Sequence, residues 1–369
     1  MSAGDGVLDG VRVLDLTDET AVFGPKLLAD LGADVLRIEP PDGDPIRRLG
    51  PFAGHIVDPE RSLPHWWFNS SKRSAVLDLR SAAGRQRLAE LAGGADVLIE
   101  TGDIGLDLPG LREANPLLTI VSVSGFGRTG PRRDRLAPDL VSWALSGAMA
   151  CVEQAGHPPL RPAWGLADQI AGIYAAIGAL AGLHHCRLAG HGLHFDLARL
   201  EAVASVVAAP VATYRPDLPW RDPRLGLEVA SITPWGAFPT RDGQIVFMAV
   251  TQGQWSALLG WMDETSAVED WARDEALLTL AGRVPHRARI NEWLARWTHR
   301  FTTAEVLSEA IRRDLPCTPI NAPIDVLADE QLRARHFFVP IEQPTLGGQV
   351  EYPGLPYRLA GRTTLRAAP

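Results

Sequence analysis

Cysteine is scarce in this 369-residue chain. The three present, Cys151, Cys186 and Cys317, stand far apart and form no CxxC. An odd, dispersed set excludes a disulfide framework or a zinc ribbon as the organising device. Positive charge is also in deficit. The formal net charge is −8, which argues against nucleic acid as the main partner. No uninterrupted apolar run reaches the roughly 18 residues that suggest a bilayer span. The opening MSAGDGVLDG has neither the basic nor the apolar region of a signal peptide. No membrane partner is expected, and a cytoplasmic location is. The first turn lacks GxGxxG and no P-loop occurs, so neither phosphate fingerprint is available.

What is present reads as an α/β protein. Val11–Leu16, Val35–Glu39, Ser74–Leu79, Asp96–Glu100 and Leu118–Ser124 are short apolar strands, and helical stretches such as Lys26–Leu31 and Ala82–Gly93 fall between them. Strands alternating with helices predict a parallel, doubly wound sheet. Ligands of such sheets bind beyond the carboxyl ends of the strands, so the loops after Leu16, Glu39, Glu100 and Ser124 share one rim. Pro40–Pro64 reads as loop, with Arg47 and Arg48 inside it, and GFGRTGPRRDR (125–135) as a Gly/Arg loop. Asp139–Ala150 reads as a helix, 191–197 as a strand and Ala198–Ala209 as a helix.

Four prolines and a Trp in PVATYRPDLPWRDPR (210–224) mark a linker, taken as 211–224. A second unit follows over 225–320. It opens on strands Thr233–Thr240 and Gln244–Val250 around the turn Arg241-Asp242-Gly243, with a helix from about Gln254. Leu315–Pro319 reads as an extended link. Phe337–Glu342 and Gln349–Tyr352 look like strands of a return segment, 321–369. Trp66, Trp67, Trp164, Trp220 and Trp235 sit in loop-like surroundings, where aromatics often line a pocket or interface.

The stretch Gly165–Gly190 reads as one long helix. Ile170, Ile173, Ile177, Leu180 and Leu183 recur at helical spacing as its expected buried face, with Ala and Gly between them. Asp168 is the one charge between Arg161 and Arg187. As a first-turn carboxylate it is either a helix cap favoured by the dipole or a nucleophile or general base held at a helix start. Position alone leaves both open.

Several stretches together carry a family resemblance: LLADLGADVLRIEPPDGDPIRRLGPF (27–52), FNSSKRSAVLDL (68–79), SVSGFGRTGPRRDR (122–135), the Asp168 helix, GHGLHFDLARLEA (190–202) and DLPCTPINAPIDVLADEQLRARHFF (314–338). In order and spacing the chain resembles the class III CoA-transferases, the family of formyl-CoA transferase, carnitine CoA-transferases and α-methylacyl-CoA racemase. The resemblance implies a Rossmann-like large domain, 1–210 completed by 321–369, plus a smaller α+β domain, in an interlocked homodimer. It implies coenzyme A, as acyl-CoA, and a carboxylic acid as substrates, no metal, and Asp168 as the nucleophile that takes the acyl group. On the ordinary carboxylate pKa near 3.9, Asp168 is expected to be ionised at pH 7 without a base.

By the same resemblance, Val22 and Phe23 follow the first strand at a CoA-contact position, and Arg37 matches a basic residue that meets the adenosine or a phosphate. Asn69, Ser70, Ser71, Lys72 and Arg73 match the segment that meets the nucleotide, with Lys72 and Arg73 facing the 3′-phosphate. Ser124, Gly125 and Phe126 fall on a further contact loop. Gln252, Gly253 and Gln254 fall on the loop that covers the site in formyl-CoA transferase. The chain departs from the pattern at Thr101-Gly102-Asp103, a shortened loop where most relatives carry Asn-Phe, and at Asp18-Glu19, acidic beside a polyphosphate. It also stops at Pro369, where relatives usually continue, so a subunit of a hetero-oligomer, partner-dependent or non-catalytic, stays in view. Racemisation is disfavoured because Pro138 stands before Asp139 where the racemase branch carries His. His184, His185, Cys186, His191 and His194 cluster, but at no spacing that matches a metal-ligand motif.

Overall fold

The computed structural model describes residues 6–102, 105–151, 158–162, 165–206, 232–358 and 368–369. The expected linker 211–224, Asp103, Trp164 and Trp220 lie outside the described residues. Six strands form one parallel sheet: β1 (Arg12–Leu16), β2 (Asp34–Glu39), β3 (Arg73–Val76), β4 (Val97–Thr101), β5 (Thr119–Ser124) and β6 (His194–Ala198). Their order is β3-β2-β1-β4-β5-β6, which reverses between β1 and β4. β4 is buried along its whole length, as a strand covered on both faces must be.

The helices in chain order are α1 (Phe23–Asp30), α2 (Leu63–Phe68), α3 (Ala82–Ala92), α4 (Leu108–Ala114), α5 (Asp139–Leu145), α6 (Ala148–Cys151), α7 (Leu166–Ala189) and α8 (Arg199–Val206), and four of them, α1, α3, α4 and α7, cover the sheet. Val13, Val35, Val97, Ile99, Val121 and Val123 pack on one face against α1 and α7. Leu14, Ile38, Leu98 and Ile120 pack on the other against Leu88 of α3 and Leu108 and Leu111 of α4.

α7 is the predicted long helix, closed at both ends by glycines in the left-handed conformation, Gly165 and Gly190. Its buried face is not the expected one. Ala167, Ala171, Gly172, Ala175, Ala176, Ala179 and Gly182 are buried. Ile173, Ile177 and Leu180 are 42%, 52% and 37% exposed, and Ile170 and Leu183 are half-buried. Close approach decides this. A Cβ on Gly172 would lie 2.9 Å from the Gly24 nitrogen of α1, and one on Gly182 would lie 2.3 Å from the Thr119 methyl of β5. The small-residue face fits against the sheet and α1, with Leu183 packed at its edge, while Ile173, Ile177 and Leu180 point away. By length and hydropathy α7 is apolar enough to cross a membrane, yet one of its faces packs on this sheet.

The chain divides into two compact units: 1–149, 161–214 and 330–369 form the first, and 150–160 with 215–329 the second. Within the second, β7 (Trp235–Pro239), β8 (Gln244–Met248) and β9 (Cys317–Pro319) form an antiparallel sheet. Leu315–Pro319 is therefore partly strand rather than a plain link. This unit's core holds Trp255, Trp261, Trp293 and Trp297. In the first unit, β10 (Phe338–Gln343) and β11 (Gly348–Pro353) form a hairpin. It packs with Trp66 of α2, a helix that begins at the end of the Pro40–Pro64 stretch read as loop. Trp67 stacks on Tyr352 with ring centroids 6.0 Å apart. These two tryptophans pack in a core.

Candidate active site

The reversal between β1 and β4 opens the crevice in which sheets of this kind hold ligands. Here the two loops are stitched together: the Asp18 backbone N–H donates to Thr101 Oγ1 at 2.8 Å. The glycine contact between α1 and α7 brings the head of α7 to the same place. Asp168 lies one helical turn before Gly172, and Asp18 is among the charges that act on it.

Asp168 does not cap its own helix. The N-cap residue Gly165 has no side-chain cap. Instead Asp139, first residue of α5, accepts a hydrogen bond from the Ala167 N–H at 2.9 Å. The Asp168 carboxylate turns to Arg199, whose Nη1 donates to its Oδ1. Arg199 is itself anchored, its Nε donating to Ser142 Oγ at 3.0 Å. Both ion-pair partners are largely buried, with side chains 6% and 14% exposed for Arg199 and Asp168. Burial pushes the Asp168 carboxyl up to about 7. Arg199 pulls it down, while Asp139 and Asp18 add to the rise. The expectation of a fully ionised carboxylate at pH 7 therefore fails. The ordinary value assumes solvent, and this carboxyl is withdrawn from it beside two like charges.

A family model for CoA-transferase family III matches residues 8–369. The chain belongs to CoA-transferase family III. It is 33% identical over 362 residues to a succinyl-CoA:(R)-benzylsuccinate CoA-transferase subunit from Thauera aromatica, covering 94% of this chain and 86% of that one. It is 32% identical over 351 residues to a succinate–glutarate CoA-transferase from Agrobacterium fabrum, covering 91% and 85%. It is also 31% identical over 371 residues to a succinyl-CoA:mesaconate CoA-transferase from Haloarcula hispanica, covering 96% and 90%. A solved CAIB/BAIF family protein from Brucella suis superposes with a TM-score of 0.85 at 28% identity, covering 99% and 95%. The protein is thus an enzyme, a CoA-transferase, whose substrates are CoA thioesters.

In this CoA-transferase the residues expected to meet CoA are distributed unevenly. Val22 and Phe23 begin α1 beside the β1 loop, with Phe23 edge-on to Phe68 at 6.4 Å. Thr101 ends β4 and bonds that loop. Ser124 ends β5, and Gly125 and Phe126 follow it on the same rim. Ser124 Oγ is buried without a partner among the described residues. A Cβ on Gly125 would lie 2.5 Å from the Ala137 Cβ, so only glycine fits there.

The basic residues behave differently. Arg37 is buried and paired with Asp15 at 2.8 Å and Asp44 at 2.6 Å. Lys72 is buried against Asp15 at 2.8 Å, and donates also to Asn69 Oδ1 and the Val22 carbonyl. Burial pushes Asp15 up, but Arg37 and Lys72 outweigh it and hold the carboxyl at about 2. Both cations are neutralised inside the protein beneath the rim. Ser70 Oγ accepts from Lys26 Nζ at 2.9 Å, and Ser71 takes a positive φ of 67° that turns the chain into β3. Of this segment's two cations only Arg73 is exposed, paired with Asp34 at 2.7 Å.

Gln252, Gly253 and Gln254 are not a loop. They form the first turn of helix Gln252–Glu264, in the second unit, closed by a capping box between Thr251 and Gln254. His184, His185 and Cys186 lie near the C-terminal end of α7. Among the described residues no group of three or more His, Cys, Asp or Glu is arranged to hold a metal.

Sequence reasoning missed Arg199 as a partner, although it stands in LARLEA just after β6. One signal was available. Arg199 is the first residue of a helix, where the dipole disfavours a cation. A cation placed there calls for an anion nearby.

Proposed function

We propose that this enzyme moves CoA from an acyl-CoA to a carboxylic acid through covalent intermediates on Asp168. The Asp168 carboxylate attacks the thioester carbonyl, and the C–S bond breaks to give a mixed anhydride and CoA thiolate. A thiol of pKa about 8.5 makes this a tolerable leaving group. The thiolate then attacks Cγ of Asp168, forming an aspartyl-CoA thioester and releasing the donor acid. An acceptor carboxylate attacks the same Cγ and displaces the thiolate. The thiolate finally takes the new acyl group and frees Asp168. One thioester replaces another, so no ATP is consumed.

The observation that carries this reading is a buried carboxylate at the head of α7, beside the sheet's reversal, excused from capping and held by a buried arginine. CoA is assigned to the rim formed by Val22, Phe23, Thr101, Ser124, Gly125 and Phe126. Arg37 and Lys72 hold the floor of that rim through Asp15 rather than meeting a phosphate. The relatives' names favour a dicarboxylic acyl donor such as succinyl-CoA. A second copy of the chain is assigned to the exposed stripe Ile173, Ile177 and Leu180.

Trapping tests the mechanism. The protein is incubated with succinyl-CoA and a panel of other acyl-CoAs, quenched with hydroxylamine, and digested for mass spectrometry. A hydroxamate on Asp168, absent from Asp168→Ala, is the expected result. CoA transfer that persists in Asp168→Ala refutes the reading.

A further inference from the structure

Arg199 is the group whose partner the proposed chemistry removes. Its Nη1 pairs with Asp168 and its Nε with Ser142. Asp168 is its one carboxylate partner among the described residues, and Nη2 has no hydrogen-bond partner among them. Each acylation of Asp168 turns that carboxylate into a neutral anhydride or thioester. A cation with a side chain only 6% exposed is then left without its carboxylate and open to another. In the same state the acceptor acid must bring an ionised oxygen to about 3–3.5 Å from Cγ of Asp168. The unpaired cation and the required anion belong to one place.

We infer that Arg199 passes from Asp168 to the carboxylate of the incoming acid, holding one oxygen while the other attacks Cγ. The inference rests on Asp168 as the acylated residue. The guanidinium fork suits this exchange because it binds carboxylates through two donors. Ser142, fully buried, keeps the fork aimed while the charge on Asp168 comes and goes. Arg199 also sets specificity. An ionised carboxylate restores the pair, whereas water, an alcohol or an amine does not, so the aspartyl-CoA thioester is passed to acids rather than hydrolysed.

The test separates the two halves of the reaction in the full-length enzyme. The donor is whichever acyl-CoA labels wild-type Asp168, and the acceptor is the isotopically labelled form of its own acid. Both are assayed across pH 7–10 and compared on the high-pH plateau of each variant, because Arg199 lowers the Asp168 pKa and its removal shifts the acid limb upward. Arg199→Met is expected to keep hydroxylamine-trappable Asp168 within about tenfold of wild type. Exchange of labelled acid into acyl-CoA should fall by about 100-fold or more, with a raised KM for the acid and more acyl-CoA hydrolysed per exchange. Arg199→Lys restores the charge and recovers part of the exchange.

Equal loss of trapping and exchange in Arg199→Met, or an unchanged acid KM, overturns the inference. If Arg199→Met does not fold, Arg199→Lys decides. A KM for the acid raised by about tenfold with trapping intact supports the hand-over, because a single ammonium replaces the fork; an unchanged KM refutes it. Failure of wild-type Asp168 to label with any donor is a different result and strikes the mechanism itself.

Discussion

Asp168→Asn should make this protein more stable at pH 8 and no more stable at pH 4. Burial, with Asp139 and Asp18, pushes the Asp168 carboxyl from 3.8 to about 7 against the pull of Arg199. The sign follows from proton counts. Between about pH 4 and 7 the folded protein holds a proton on Asp168 that the unfolded chain has already lost. Stability therefore falls as pH rises through that window and stays lower above it. Each pKa unit corresponds to about 1.4 kcal/mol, so the ionised form costs up to about 4 kcal/mol at pH 8. Water penetration and relaxation bring the expected gain from Asn to about 2–3 kcal/mol, and Asn retains an oxygen for Arg199. Urea-denaturation midpoints of wild type and variant at pH 4, 6 and 8 measure it. The same titration shapes the chemistry: Asp168 acylation by an acyl-CoA should rise about tenfold per pH unit below 7 and level off above. An Asn variant less stable than wild type at pH 8 would show that the ion pair with Arg199 outweighs burial and would refute the argument.

Asp139→Asn removes the largest like charge acting on Asp168; the acid limb of the acylation profile should move to lower pH. Gly172→Ala places a Cβ 2.9 Å from both the Gly24 nitrogen and the Phe23 Cβ. It should cost about 1–3 kcal/mol in denaturation and lower the rate of Asp168 trapping as the head of α7 shifts. Asp15→Asn leaves Lys72 buried without its carboxylate and should destabilise by about 3–5 kcal/mol at neutral pH. Ile177→Asp charges the exposed stripe of α7; light scattering should show a dimer reduced to a monomer, and a monomeric wild type would remove the second copy from the proposal.

The sheet was readable because its strands are apolar runs separated by helices, and the alternation leaves few topologies. α7 was readable as a helix, but not which side it buries. Its sequence is apolar nearly all round, so periodicity located an Ile/Leu stripe without saying what faces the sheet. The Gly172 and Gly182 contacts settle that, and they join residues distant in sequence. α2 was hidden by Pro64 and two tryptophans in a stretch that reads as loop, and β9 by two prolines in five residues. Asp168 stood out by isolation from other charges. Arg199 did not, since their contact spans 31 positions.

Three buried cations differ in the partners that hold them. Arg37, Lys72 and Arg199 are all withdrawn from water and all paired with aspartates. What separates them is how readily each aspartate gives up its charge. Asp15, held at about 2, stays ionised at any working pH. Its pairs add stability that is lost only as pH falls toward that value, so they serve as structure. Asp168, pushed up to about 7, gives up its charge to a proton near neutrality and, in the proposed chemistry, to an acyl group. The arginine beside a carboxylate of that kind is the one available for a substrate.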